Sequence, residues 1–242
     1  MKIAILGYGK MGKAIEEIAA QKGHEISFKI DVDDQLHDNI DLSVIDVAIE
    51  FSTPEQAAKH VQACFDKDVP VVSGTTGWNE ELEAARKYCI ENSKSFFYAS
   101  NFSVGANIFF RISSEMALMM NDQDQYDPVI TEVHHTEKID SPSGTAILLA
   151  EDMIKNLGRK SRWTNEESTD KEDLVIQSLR KVNVAGTHTV NYKSDVDDIE
   201  IKHTAHSRAG FAEGALHAAE WLIGKEGFFD MNDLLNFRLN KR

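Results

Sequence analysis

Two histidines and a lysine, His134, His135 and Lys138, fall within five residues, and Ser143-Gly144-Thr145 follows shortly after. The histidines end an apolar-rich run that predicts a strand. The Ser-Gly-Thr triplet opens a helical pattern. A helix N-terminus presents free backbone N–H groups and the positive end of the helix dipole, and Lys138 with a protonated imidazole adds positive charge. Such parts suit capture of a small carboxylate at Ser143, Gly144 and Thr145, and general-acid chemistry near neutral pH at His134 and Lys138. Residue chemistry alone leaves further roles open for this segment. The adjacent histidines could ligate a metal, although neighbours on a strand point to opposite faces and no cysteine or carboxylate cluster accompanies them. Ser143, next to Pro142, could be a plain helix N-cap. The His-Lys stretch could also be merely solvated.

A second motif, Gly7-Tyr8-Gly9-Lys10-Met11-Gly12, is a G-x-G-x-x-G run placed directly after Ile3–Leu6. Glycines at this spacing permit a tight strand-to-helix turn, backbone approach to a pyrophosphate and close helix–sheet packing, with the phosphates on the helix N-terminus. Asp31 ends the next apolar run, 19 residues after Gly12, where a carboxylate can accept both hydroxyls of an adenosine ribose. A 2′-phosphate would meet like charge there. Val32, Asp33 and Asp34 supply no cation, and only Lys10 and Lys29 lie nearby. The expectation is a dinucleotide site that prefers NADH and still uses NADPH. Gly74-Thr75-Thr76-Gly77 and Ala99-Ser100-Asn101-Phe102 each follow a further apolar run. Loops at strand C-termini line the ligand crevice of a doubly wound sheet. They therefore read as contacts to the nicotinamide ribose and carboxamide, or as an ordinary polar turn and a domain-boundary turn.

The elements that must position these residues alternate over the first 100 positions. Ile3–Leu6, Ile26–Ile30, Val47–Phe51, Val69–Val72 and Phe96–Ala99 read as buried strands. Between them, Met11, Ile15, Ile18 and Ala19 mark one helix face, Thr53-Pro54 starts a second helix, and 79–92 is a third. Strand–helix alternation predicts a parallel sheet covered on both faces. The second half differs: helices at 106–120, 144–156 and 212–223, a strand at Val129–Val133, and short strands with turn residues from Leu174 to His203 predict an α+β region with a mixed or antiparallel sheet. Residues 158–173 are almost wholly polar and predict a mobile loop.

Composition narrows the partners. The chain is 42% hydrophobic, enough for a core, and Lys+Arg 26 against Asp+Glu 40 leaves a net charge of −14. With no basic run longer than two residues, nucleic acid and anionic membrane are poor partners. No window approaches 18 apolar residues, and the apolar start ends at Gly7 before Lys10 and Lys13. That pattern fits neither a signal peptide nor a spanning helix. Cys64 and Cys89 lie in amphipathic stretches and read as small core residues of a protein in a reducing compartment. A soluble, cytoplasmic protein is expected.

GYGKMG, GTTG, ASNFSVGAN, EVHHTEKIDSPSGTA and HSRAGFAEGALHAAEWL together closely resemble the 4-hydroxy-tetrahydrodipicolinate (dihydrodipicolinate) reductase family, from residue 1 to about 230. The resemblance implies a Rossmann-type domain over 1–103, completed by 207–242, and a substrate-binding and oligomerisation domain over 104–206 in a homotetramer. It implies NAD(P)H-dependent reduction, with loss of water, of a cyclic imine dicarboxylate in diaminopimelate and lysine biosynthesis. By the same resemblance His134 is the proton donor, Lys138 the acid lysine and His135 the second histidine of the site. Gly144 and Thr145 hold a substrate carboxylate, and Gly74 to Thr76 with Ala99 to Phe102 contact the cofactor. No metal is implied. The glycine loop is a residue shorter than the family's common form, with Lys10 where an arginine is frequent, and Asp31–Asp41 is a short segment. Another Rossmann reductase of a small imino or keto acid would share the glycine loop without the histidine segment. A non-catalytic NADH sensor is the alternative outside the enzymes.

Overall fold

The computed structural model describes residues 1–31 and 42–237, with the side chain at 43 left aside. The chain divides into two compact units, Met1–Val104 with Arg208–Arg242, and Gly105–Ser207.

The first unit is built on β1 (Lys2–Leu6), α1 (Lys10–Gln21), β2 (Glu25–Ile30), β3 (Val47–Glu50), α2 (Pro54–Asp66), β4 (Val71–Ser73), α3 (Asn79–Glu91) and β5 (Ser95–Tyr98). β1 pairs in parallel with both β2 and β3, and β4 and β5 extend the sheet. Side chains on β1 alternate between two cores, as the two-residue period of a strand requires. Ile3 and Ile5 pack with Ile15, Ala19 and the late helix residues Ala212 to Leu222. Ala4 and Leu6 pack with Val61, Cys64, Phe65 and Cys89. Both cysteines are free and buried, and burial pushes the Cys89 thiol up to about 11. The sheet is thus apolar on both faces, which is why its strands read as continuous apolar runs.

The second unit carries α4 (Val104–Met120), β6 (Asp127–His134), α5 (Gly144–Asn156), β7 (Arg162–Thr164), β8 (Asp173–Arg180), β9 (Gly186–Lys193) and β10 (Asp198–Ala205). The sheet order β10-β9-β6-β8-β7 is mixed: β6 pairs parallel with β8 and antiparallel with β9. Ile130, Ile176, Val190 and Tyr192 pack against Phe109, Ala117, Leu149 and Met153 of α4 and α5. The fold class is therefore α/β with a second, mixed-sheet unit, as the alternation of patterns implies.

Two departures have clear causes. Residues 158–173 do not form a featureless loop. Lys160 is buried there, donating to Asp127 Oδ1 at 2.7 Å and to the Asp173 carbonyl at 2.9 Å. Arg162 reaches Asp170 and Asp173, each at 2.6 Å, and β7 joins the sheet edge. Polar pairing organises the segment, and a search for apolar periodicity cannot see it. The other departure is a short strand near the chain end, β11 (Gly227–Phe229), parallel to β5 and lying between α6 (Ala209–Leu222) and α7 (Met231–Leu234). Three residues are too few for a readable period.

Candidate active site

The first unit's candidate site is a cavity of about 180 Å3 whose lining includes Gly7, Gly9, Asp31, Ser52, Gln56 and His60. Gly7 has φ +101, and a Cβ there would sit 2.1 Å from the Phe51 carbonyl oxygen, so only glycine makes this turn. Gly12 allows α1 to pack on the loop, since its Cβ would meet the Gly7 oxygen at 2.4 Å. Gly9 faces open space at the helix start, which leaves room for phosphate oxygens against the α1 N-terminus. These are the three jobs expected of a dinucleotide loop, and the residues present fit such a cofactor.

Other residues expected around the cofactor are placed unevenly. Tyr8 donates its hydroxyl to Glu16, and Lys29 sits 4.8 Å over its ring while pairing with Glu16 at 3.1 Å. Lys29 is thereby paired with a carboxylate of α1. Lys10 is exposed in the first turn of α1, beside half-buried Met11. Val32, Asp33 and Asp34 lie outside the described residues. Thr76 is exposed, but Thr75 is buried and its hydroxyl donates to Glu50 at 2.8 Å. A Cβ on Gly74 would fall 2.1 Å from the Phe51 ring. Ala99 is buried and Ser100 exposed, and Asn101 Oδ1 accepts the Ser103 N–H at 2.9 Å. Phe102 is a buried core residue with its ring tilted against those of Phe51 and Phe97, so its side chain is not an open cofactor contact.

In the second unit, β6 ends at His134 and α5 begins at Gly144. Glu132, two residues before His134 and on the same strand face, is fully buried. Its carboxylate accepts the Ser143 N–H at 3.0 Å and the Ser178 hydroxyl at 2.8 Å. His134 Nε2 lies 3.3 Å from Oε2, His188 Nε2 3.7 Å, and the Arg180 guanidinium 3.8 Å from Oε1. Burial pushes this carboxyl up, but His134, His188, Ser143 and Ser178 outweigh it and hold it well below the usual carboxylate range. His188 stands opposite Glu132 on β9, and Arg180 opposite His134 on β8.

Glu132, His134 and His188 bring three ligand-type atoms within 4.8 Å of one another. A carboxylate does accompany the histidines, contrary to the reading from spacing. Ser143 and Ser178 hydrogen-bond this carboxylate and Arg180 is its counter-charge, whereas the buried His134 Nε2 lies beside it without a hydrogen-bond partner. Lys138 Nζ binds both Asp140 oxygens at 2.7 and 2.8 Å, and this ammonium holds the Asp140 carboxyl below its ordinary value. Arg180 clamps the same loop by donating to the Lys138 and Asp140 carbonyls. Ser143 is the α5 N-cap, accepting the Ala146 N–H at 3.1 Å, with His188 Nε2 3.3 Å from its Oγ. Its hydroxyl is thus spent on the helix and its neighbour. Gly144 is exposed and Thr145 half-buried at the helix start, and the first turn carries no acidic residue. His135 keeps a buried Nδ1 without a hydrogen-bond partner. Arg180 and His188 escaped the sequence reading, because only sheet register brings them to this segment, whereas the two-residue period of β6 could have singled out Glu132 beside His134.

Comparison with known proteins decides the lineage. The N-terminal domain profile of dihydrodipicolinate reductase matches residues 1–102, and its C-terminal profile matches 105–235. The chain belongs to the dihydrodipicolinate reductase family. The 4-hydroxy-tetrahydrodipicolinate reductase of Christiangramia forsetii is 48% identical over 236 residues, covering 98% of each chain. That of Neisseria meningitidis is 34% identical over 273 residues, covering 100% of this chain and 99% of its own. The solved dipicolinate-bound dihydrodipicolinate reductase from Paenisporosarcina sp. TG-14 shares the fold at TM-score 0.79 with 22% identity, covering 96% of this chain and 98% of that one. As a member of this reductase family the chain is an NAD(P)H-dependent oxidoreductase, which sets it apart from other Rossmann reductases that share only the glycine loop.

Proposed function

We propose that this chain reduces 4-hydroxy-tetrahydrodipicolinate to tetrahydrodipicolinate with loss of water, in diaminopimelate and lysine biosynthesis. The observation that supports the site assignment is buried Glu132, which accepts the Ser143 N–H at the α5 N-cap and lies 3.3 Å from His134 Nε2. A reduced nicotinamide held at Gly7, Gly9, Gly12 and Asp31 would supply hydride for reduction of the conjugated C=N system of the dehydrated ring. Electron density then develops on the nitrogen side, and a positioned donor lowers that barrier by about 10²–10⁴-fold. His134 is assigned as that donor. Lys138, held by Asp140, supplies positive charge and a second acid. His135, Gly144 and Thr145 take the substrate, one carboxylate resting on the α5 N-terminus, with Ser143 shaping that turn. Metal chemistry is not part of the assignment.

In the first unit Gly7, Gly9, Gly12 and Asp31 hold the dinucleotide, and NADH is preferred over NADPH, because Asp31 lines the cavity beside the glycines. The first unit is the dinucleotide-binding domain, and the second takes substrate and makes the subunit contacts. The sheet face turned away from α4 and α5 carries Val129, Thr131, Val133, Val175 and Leu179, a surface suited to homotetramer assembly. No helix among the described residues is long and apolar enough to cross a membrane, and a cytoplasmic small-molecule enzyme is the reading adopted. NADH and NADPH oxidation with enzymatically generated substrate tests it. Turnover that depends on the substrate is expected; dinucleotide binding without turnover would leave the sensor reading instead.

A further inference from the structure

Glu50 has no role in the assignments above, yet it is fully buried at the C-terminal end of β3. A carboxylate so placed is costly unless donors surround it. Oε1 accepts the Ser52 N–H at 2.9 Å, the Ser52 hydroxyl at 2.5 Å and the Thr75 hydroxyl at 2.8 Å, and Oε2 accepts the Ser73 hydroxyl at 2.6 Å. His60 Nδ1 from α2 lies 3.8 Å away. Ser52 lies in the connection after β3, Ser73 ends β4, Thr75 lies in the connection after β4, and His60 is on α2. The connections are also joined to each other, because the Ser52 N–H is shared with the Thr75 oxygen at 2.9 Å. Thr75 therefore donates and accepts entirely within the protein.

Steric fit carries the same geometry to the glycine loop. Phe51, next to Glu50, has its carbonyl where a Gly7 Cβ would be and its ring where a Gly74 Cβ would be. A shift at the end of β3 must displace both loops. We propose that Glu50 is a positioning residue for the cofactor: it fixes the β3–α2 and Gly74–Gly77 loops, and the Thr75 hydroxyl acts through Glu50, not on the dinucleotide. This rests on the reading of the first unit as the dinucleotide site.

The test is a double-mutant cycle on the full chain, read by NADH titration, by KM against kcat, and by thermal melting. Glu50→Gln keeps the shape and removes the charge, and Thr75→Val keeps the shape and removes the hydroxyl. Each should weaken NADH binding by about tenfold, the size expected for charge-assisted bonds, and kcat at saturating NADH should stay within about twofold. The double variant should bind no worse than the poorer single, and Glu50→Asp should recover part of the loss. Wild-type NADH affinity in Glu50→Gln overturns the proposal, and so do fully additive effects, which would put the Thr75 hydroxyl on the cofactor. If Glu50→Gln fails to fold, Ser73→Ala removes one donor only, and unchanged NADH affinity there overturns it equally. A wild-type chain that binds no dinucleotide overturns the parent reading as well, an outcome distinct from a bound but unaffected variant.

Discussion

At the scale of single residues, the second unit separates the groups assigned to the substrate from the groups that hold them. Lys138 is bound by Asp140 and its loop by Arg180, and His134 leans on buried Glu132. Truncating either working group removes a donor without touching the first unit. His134→Ala and Lys138→Ala should each lower kcat by at least about 10²-fold and leave NADH affinity near wild type, the range typical of general-acid groups. The double variant should be far less impaired than the product of the singles if the two act together. Steady-state kinetics with NADH titration decides this, and near-normal turnover in either single variant removes that residue from the mechanism.

At the scale of elements, the proposed binding falls to a helix start and a strand end. The α5 N-terminus presents Gly144 and Thr145 above a cap that Ser143 supplies. Thr145→Val keeps the shape and deletes a hydroxyl donor worth about 1.5–3 kcal/mol to a charged partner. A raised substrate KM and weaker inhibition by pyridine-2,6-dicarboxylate, a planar mimic of the dianion, are expected. Unchanged inhibition would move the carboxylate elsewhere. At the end of β2, Asp31 lines the cavity and Lys29 is committed to Glu16 and the Tyr8 ring. NADH should therefore exceed NADPH in kcat/KM, and Asp31→Ser should narrow the ratio by relieving repulsion of a 2′-phosphate. A wild-type preference for NADPH of about tenfold, or about 1.4 kcal/mol, would refute this reading of the strand.

Across the whole molecule, each unit keeps a buried glutamate, Glu50 in one and Glu132 in the other, whose surroundings hold the carboxyl below its ordinary value of 4.5. In both, burial works against the anion and the ring of donors overcomes it. A depressed carboxyl stabilises the fold above its unfolded value, and that contribution is lost as pH falls toward its folded value. The melting temperature should hold between pH 7 and about 5 and fall steeply below about 4.5. Glu50→Gln and Glu132→Gln should each flatten the acid limb. A melting temperature independent of pH down to about 3 would show that these carboxylates do not contribute in this way.

The sequence by itself determined the layered architecture, the family and the candidate segments for the site. Apolar runs of β-branched residues, one-sided helix faces and glycines at fixed offsets are local signals, and the physics behind them acts within a few residues. The Gly7–Gly12 turn, the 130s histidine segment and the Ser143 cap were all legible for that reason. Only the tertiary structure decided which side chains are occupied. Strand register places His188 opposite Glu132 and Arg180 opposite His134, each more than 40 positions away in the chain. A shift of one residue would turn these side chains to the other face. The same long-range closure buried Phe102, spent the Thr75 hydroxyl on Glu50 and folded the polar segment around Lys160. Hydrogen-bond partners of buried polar groups are chosen by packing, and packing is not a local property of sequence.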